Sequence, residues 1–100
     1  MELQQTVDVS KCLSNPVRIE ILEWLKDPVN NFPENSTGVP NKKGVCVGLI
    51  QKKTGLSQST ISSYLNLMVR CGLLKMFRLG KWSYYSRNEK SIKEYLNYLK

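Results

Sequence analysis

The run Ser57 to Ser63, SQSTISS, sets six side chains that donate and accept hydrogen bonds around a single apolar residue, Ile61. Hydroxyls in such number are poor choices for a helix interior, because they compete with the backbone for its own hydrogen bonds. Their chemistry is not catalytic. The chain has no histidine, so the commonest general base is missing. No glycine-rich phosphate loop, carboxylate pair or Cys-His arrangement accompanies them. Ser, Thr and Gln on a helix do suit a different task, bonding to base edges and phosphates when the helix lies in a DNA groove.

The spacing around this run supports that reading. At about 100° per residue, a helix over 58–71 gathers Ile61, Leu65 and Met68 into one stripe, with Tyr64 and Val69 beside it. Ser59, Ser62, Ser63, Asn66 and Arg70 fall opposite. That face carries one charge and no acid. A solvated helix face would be heavy in Glu and Lys, and carboxylates here would repel phosphate. Gln58, Ser59, Ser62 and Ser63 are therefore candidates for base contacts. Ser57, Thr60, Lys52 and Lys53 are candidates for positioning the nucleic-acid backbone.

Several elements must hold this helix in place. Gly55 suits a left-handed stop for a helix over about 45–54, whose apolar positions are Val45, Leu49 and Ile50. Ser57 suits the N-cap of the next helix. The four residues TGLS thus make a tight turn between two helices. Two runs rich in aromatic and branched residues, about 73–78 and 82–86, flank Leu79-Gly80-Lys81 and read as a β-hairpin with Arg78 and Lys81 at its tip. Lys75 and Arg87 lie further along it. Upstream, Leu3, Val7, Cys12 and Leu13 give a weak apolar face to a helix over 3–13. Asn15-Pro16 opens another over 16–26, which Asp27-Pro28 stops. Downstream, Ser91 and Glu94 read as a capping box for a helix over 90–99, with Ile92, Tyr95, Leu96 and Leu99 on one face. Residues 27–44 hold three prolines and two glycines without periodicity. They read as a long, disordered solvent loop within a single domain spanning 1–100. The fold class is mainly α with a β-hairpin wing, a winged helix-turn-helix.

The net charge is +7, and it is unevenly spread. Residues 1–30 carry three Lys or Arg against five Asp or Glu, whereas residues 75–100 carry seven against two. A basic surface on one part of a small chain fits a polyanion, with nucleic acid ahead of membrane. No 18-residue apolar run would cross a bilayer, and the N-terminus lacks the basic start and apolar stretch of a signal peptide. A cytoplasmic protein is expected, in which the Asn35-Ser36-Thr37 sequon has no role. Cys12, Cys46 and Cys71 form no disulfide framework and read as small apolar side chains.

Residues 45–88, VCVGLIQKKTGLSQSTISSYLNLMVRCGLLKMFRLGKWSYYSRN, resemble the core of the ArsR/SmtB family of winged-helix repressors. The likeness rests on Cys46-Val47-Gly48, Leu56-Ser57, Ser59, Ser62, Leu65, Gly72-Leu73, Gly80 and Tyr84-Tyr85. KCLSNPVRIEILEWL also looks like the family's second helix. The resemblance implies a symmetric homodimer joined by the first and last helices, through Leu3, Val7, Ile92, Tyr95, Leu96 and Leu99. It implies binding to a double-stranded DNA operator, with Arg78 and Lys81 serving the wing, and repression until an inducer arrives. The residues name no inducer.

Departures from the family matter as much. Cys46-Val47-Gly48 lacks the second thiolate of the family's Cys-Val-Cys metal site. The last helix, SIKEYLNYLK, offers only Glu94 where the family places His and carboxylates. Zinc wants about four N, S or O ligands, so neither metal nor cofactor is expected. Cys12 could approach Cys46 across a dimer, but two thiolates are too few for a metal. A thiol-responsive form of the repressor would act through Cys12, Cys46 or Cys71 as a disulfide or persulfide, with Cys71 better suited to core packing. Gln51 stands where such turns favour Ala, so its side chain must leave the helix packing, toward DNA. Lys42 and Lys43, at the end of the long loop, would meet phosphate beside the following helix. The rival reading is a winged helix used for protein contacts, with RNA binding third.

Overall fold

The computed structural model describes residues 1–100. In chain order the elements are α1 (Leu3–Cys12), α2 (Pro16–Trp24), α3 (Pro28–Asn31), β1 (Val45–Cys46), α4 (Val47–Thr54), α5 (Gln58–Arg70), β2 (Leu74–Leu79), β3 (Trp82–Arg87) and α6 (Glu89–Tyr98). Local chemistry sets most of these boundaries. The Asn15 carboxamide oxygen accepts from the backbone N–H groups of Val17 and Arg18 at 2.9 and 3.2 Å, so α2 starts at Pro16. Gly55, at φ 73°, ends α4 in the left-handed conformation that costs a glycine little. No helix is long and apolar enough to cross a membrane.

The core forms where α1, α2, α4 and α5 meet the sheet. Ile61, Leu65 and Met68 of α5 are wholly buried there, beside Val9, Ile21, Ile50, Leu73 and Leu74. β2 and β3 pair antiparallel from Leu74 opposite Arg87 to Leu79 opposite Trp82. The chain reverses at Gly80-Lys81. Gly80 sits at φ 60° while Lys81 does not adopt a positive φ, the pattern of a type II′ turn. Phe77 and Tyr84 stack across the strands with ring centroids 5.0 Å apart.

Four local readings of the sequence need correction. Val45 and Cys46 do not begin a helix. They form β1, which pairs with Tyr85 and Tyr84, giving a three-stranded sheet in the order β1-β3-β2. The Cys46 N–H is held by the Asn35 carboxamide oxygen at 2.9 Å, which fixes the extended backbone. α6 is capped by Asn88, whose carboxamide oxygen accepts from the Ser91 N–H, rather than by a Ser91-Glu94 box. Gln51 turns back on its own turn, donating to the Leu56 carbonyl at 3.5 Å.

The fourth correction concerns residues 27–44, which are ordered. α3 occupies the start of this segment, and buried Phe32 meets Trp24 edge-on at 6.3 Å. Asn35 and Asn41 are buried beyond it. The Asn35 carboxamide donates to the carbonyls of Val39 and Gly44 at 2.9 and 2.8 Å. Asn41 accepts from the Asn35 N–H at 3.1 Å and donates to the Pro33 carbonyl at 2.9 Å. Each asparagine supplies the donors and acceptors that a regular ladder would otherwise provide. The Asn35→Ala protein should therefore lose about 2 kcal/mol or more, since it strands buried backbone groups. Urea unfolding measures this; a loss below about 0.5 kcal/mol, the size of a neutral surface change, would contradict the role given to Asn35.

Candidate nucleic-acid interface

The orientation of α5 follows from its buried stripe. With Ile61, Leu65 and Met68 turned inward, Gln58, Ser59, Ser63, Asn66 and Arg70 are exposed, and Thr60 and Ser62 are half-buried. The hydroxyls divide into two groups. Ser57 accepts from the Thr60 N–H at 3.2 Å, donates to the Thr60 hydroxyl at 2.9 Å and lies 3.3 Å from the Ser59 hydroxyl. These three hold one another and the start of the helix. Gln58, Ser62 and Ser63 take no part in that network and are available to an outside partner. On the inner side, Tyr64 accepts from the Asn15 amide at 3.2 Å and carries the Arg18 guanidinium 4.9 Å above its ring, clamping α5 to α2.

The candidate cations are not equivalent. Lys52 and Lys53 end α4, where positive charge is favourable. The Lys53 ammonium lies 5.1 Å from the Trp24 ring and 5.8 Å from Phe32, so aromatic faces hold it near the turn. At the wing, Arg78 and Lys81 are exposed, and the Lys81 ammonium lies 5.3 Å from the Trp82 ring. Arg87 does not extend the basic wing. It pairs with Glu89 at 2.9 Å and donates to the Leu22 carbonyl at 3.1 Å. Lys42 borders a pocket with Ser86, Arg87 and Glu89 at the base of the hairpin. That is about 16 Å along β3 from the tip.

Sequence reasoning missed two wing residues. Leu79 and Trp82 face each other across the last rung of the hairpin and are 55% and 42% exposed. Trp82 shares the sheet face of buried Tyr84, two residues on, but lies past the edge of the core. Alternation along the strand sets its face, and the extent of the core sets its exposure.

The expected dimer residues separate into two sets. Leu3, Val7, Leu96 and Leu99 are exposed, as is Tyr98. Ile92 and Tyr95 are half-buried against the chain's own core, and the Tyr95 hydroxyl meets that of Ser10 at 2.9 Å, joining α6 to α1. The thiols also fall differently from the expected pair. Within the chain Cys12 and Cys71 line one pocket, while Cys46 stands at the N-cap position of α4 without a capping side-chain bond. No three His, Cys, Asp or Glu side chains converge as a metal site would require.

A glycine turn joins two helices, the second exposes a neutral hydrogen-bonding face, and a basic two-stranded hairpin follows it. This is a winged helix-turn-helix. The sequence is 42% identical over 96 residues to YbzH, an HTH-type transcriptional regulator of Bacillus subtilis, with 96% of both chains covered. The chain belongs to the HTH-type transcriptional regulators, a family of regulators rather than enzymes, and has the ArsR form of the fold. The fold is similar to that of a homodimeric winged helix-turn-helix DNA-binding domain from Mycobacterium bovis, at a TM-score of 0.68 and 24% identity, covering 97% of this chain and 77% of that one. It is also similar to an ArsR-like transcriptional regulator from Rhodococcus sp. RHA1, at a TM-score of 0.71 and 19% identity, covering 96% and 76%. No family model matches the sequence.

The cap at Ser57 can be separated from any surface role. Ser57→Ala should cost about 1 kcal/mol of stability, whereas Ser57→Asp keeps the capping oxygen and should retain it. Thermal unfolding of the two proteins checks this, and equal losses would contradict the capping role.

Proposed function

We propose that this regulator is a cytoplasmic homodimer that binds a double-stranded DNA operator in a sequence-specific way and represses transcription. The outward face of α5 carries the reading. Gln58, Ser59, Ser62 and Ser63 lie on or beside a face that bears no acid and no large exposed apolar side chain. Such a face can approach base edges closely and bond to them. It gives no support to the rival in which the same helix docks on a protein, because such docking wants apolar anchors. Ser57, Thr60, Lys52 and Lys53 hold the DNA backbone at either side of the turn, and Arg78 and Lys81 hold it at the wing. Phosphate contacts fix register, while base contacts give sequence preference.

Dimerisation is supported by two observations. The Mycobacterium bovis neighbour is homodimeric. In this chain Leu3, Val7, Leu96 and Leu99 expose apolar area on the first and last helices, which pack together. A second copy would cover it.

The division of labour gives opposite mutant behaviours. Gln58→Ala should relax sequence preference, costing about 1–3 kcal/mol at one base pair. Binding to a panel of single-site operator variants measures it, and an equal loss on every sequence would refute a base contact. Lys81→Ala should weaken all sequences alike and lower the salt slope by about one. A slope identical to that of the parent protein would argue against a phosphate contact by the wing.

A further inference from the structure

Cys12 is the last residue of α1, and Cys71 follows the last residue of α5. Their side chains meet where those helices pack. They lie on the wall of a pocket of about 480 Å³ that is also lined by Asp8, Lys11, Arg18 and Arg70. Cys12 is completely buried, whereas Cys71 is partly exposed. Of the two residues, Cys71 is thus the one that a reagent in solvent meets first.

The neighbouring thiol favours a thiolate at the outer position, while the Asp8 carboxylate in the same pocket opposes it. As a thiol Cys71 donates to the Met68 carbonyl at 3.4 Å. As a thiolate it is stabilised by the adjacent Cys12 thiol and by the Leu73 N–H. Together they outweigh burial and bring the Cys71 pKa down to about 7. The same contact, with burial, pushes the Cys12 thiol well above its ordinary range although Arg18 opposes it. An accessible low-pKa sulfur backed by a resolving thiol is the arrangement that thiol–disulfide exchange requires.

We propose that Cys12 and Cys71 form an oxidisable dithiol site that closes to an intrachain disulfide in the presence of low-molecular-weight disulfides. In the first step the Cys71 thiolate attacks one sulfur of the small disulfide. Its S–S bond breaks, one small thiolate leaves, and Cys71 carries a mixed disulfide. In the second step Cys12 loses its proton to the departing thiolate and attacks the Cys71 sulfur, releasing the second small thiol. Two cysteine thiols are oxidised and one small disulfide is reduced to two thiols. Cys46, at the N-cap position of α4, lies outside this pocket and takes no part.

The consequence for DNA rests on the operator-binding reading above. A disulfide of about 2.05 Å is far shorter than any contact between unbonded sulfurs, and its dihedral is restricted. Closing it draws the end of the base-reading helix toward α1, which carries part of the dimer surface. Oxidised protein should bind operator at least about tenfold more weakly, or roughly 1.4 kcal/mol.

The test incubates reduced full-length protein with excess 2-hydroxyethyl disulfide. Free thiols should fall from three to one, and non-reducing peptide mapping should show Cys12 joined to Cys71, reversed by dithiothreitol. Cys46→Ser should close equally well. Cys12→Ser, and Cys12→Ala as a check on folding, should stop at the mixed disulfide on Cys71. Modification of Cys46 with Cys71 left free would overturn the proposal, and so would a persistent mixed disulfide on Cys71 in the parent protein. A disulfide between chains would do the same. The thiol chemistry is read without DNA, so a reduced protein that binds no duplex counts against operator binding alone. Closure with unchanged affinity overturns the coupling of this site to DNA.

Discussion

The burial of Ile61, Leu65 and Met68 decides which way α5 faces, and with it what the protein offers to solvent. Each of these side chains contributes on the order of 1.5–3 kcal/mol by leaving water. Together they outweigh the roughly 1 kcal/mol of a helix cap and the preferences of the hydroxyls. The helix cannot rotate about its axis without exposing them. Ser59, Ser63, Asn66 and Arg70 are therefore presented as one surface, although none of them determines the packing. Gly55 and Ser57 add the remaining constraint by fixing where α5 begins relative to α4.

Around that surface the charges are sorted rather than scattered. The outward face of α5 is nearly neutral, while cations flank it on α4 and at the wing tip. Lys53 is held by aromatic rings, and Arg87 is withdrawn into an ion pair at the hairpin's base. The positive charge relevant to a duplex is thus smaller than the net charge suggests. Its placement matters more than its size, because phosphate contacts act over short distances at physiological salt.

Legibility in the sequence tracked the range of the interactions involved. α5 was readable because the 3.6-residue period, the cap and the terminating glycine are all local. The wing was readable because Gly80 supplies the turn that alternating strands need. β1 was not, since two residues are too few to show alternation and Val45 fits either helix or strand. The order of residues 27–44 was hidden for another reason: Asn35 bonds to Val39, Gly44 and Cys46, which no periodicity marks. The candidate surface was legible by residue type, apart from the exposure of Leu79 and Trp82. The meeting of Cys12 with Cys71 was not legible at all, because it depends on how α1 packs against α5.

The central claim is that the outward side of α5 and the wing together fit a DNA groove in a sequence-dependent way. Selection of bound fragments from random duplex DNA by the reduced protein tests it most directly. The account predicts enrichment of an inverted repeat whose half-sites lie about 10 base pairs apart, centre to centre, matching a twofold dimer. Recovery of no preferred sequence, with no retention of duplex even in dilute salt, would contradict it.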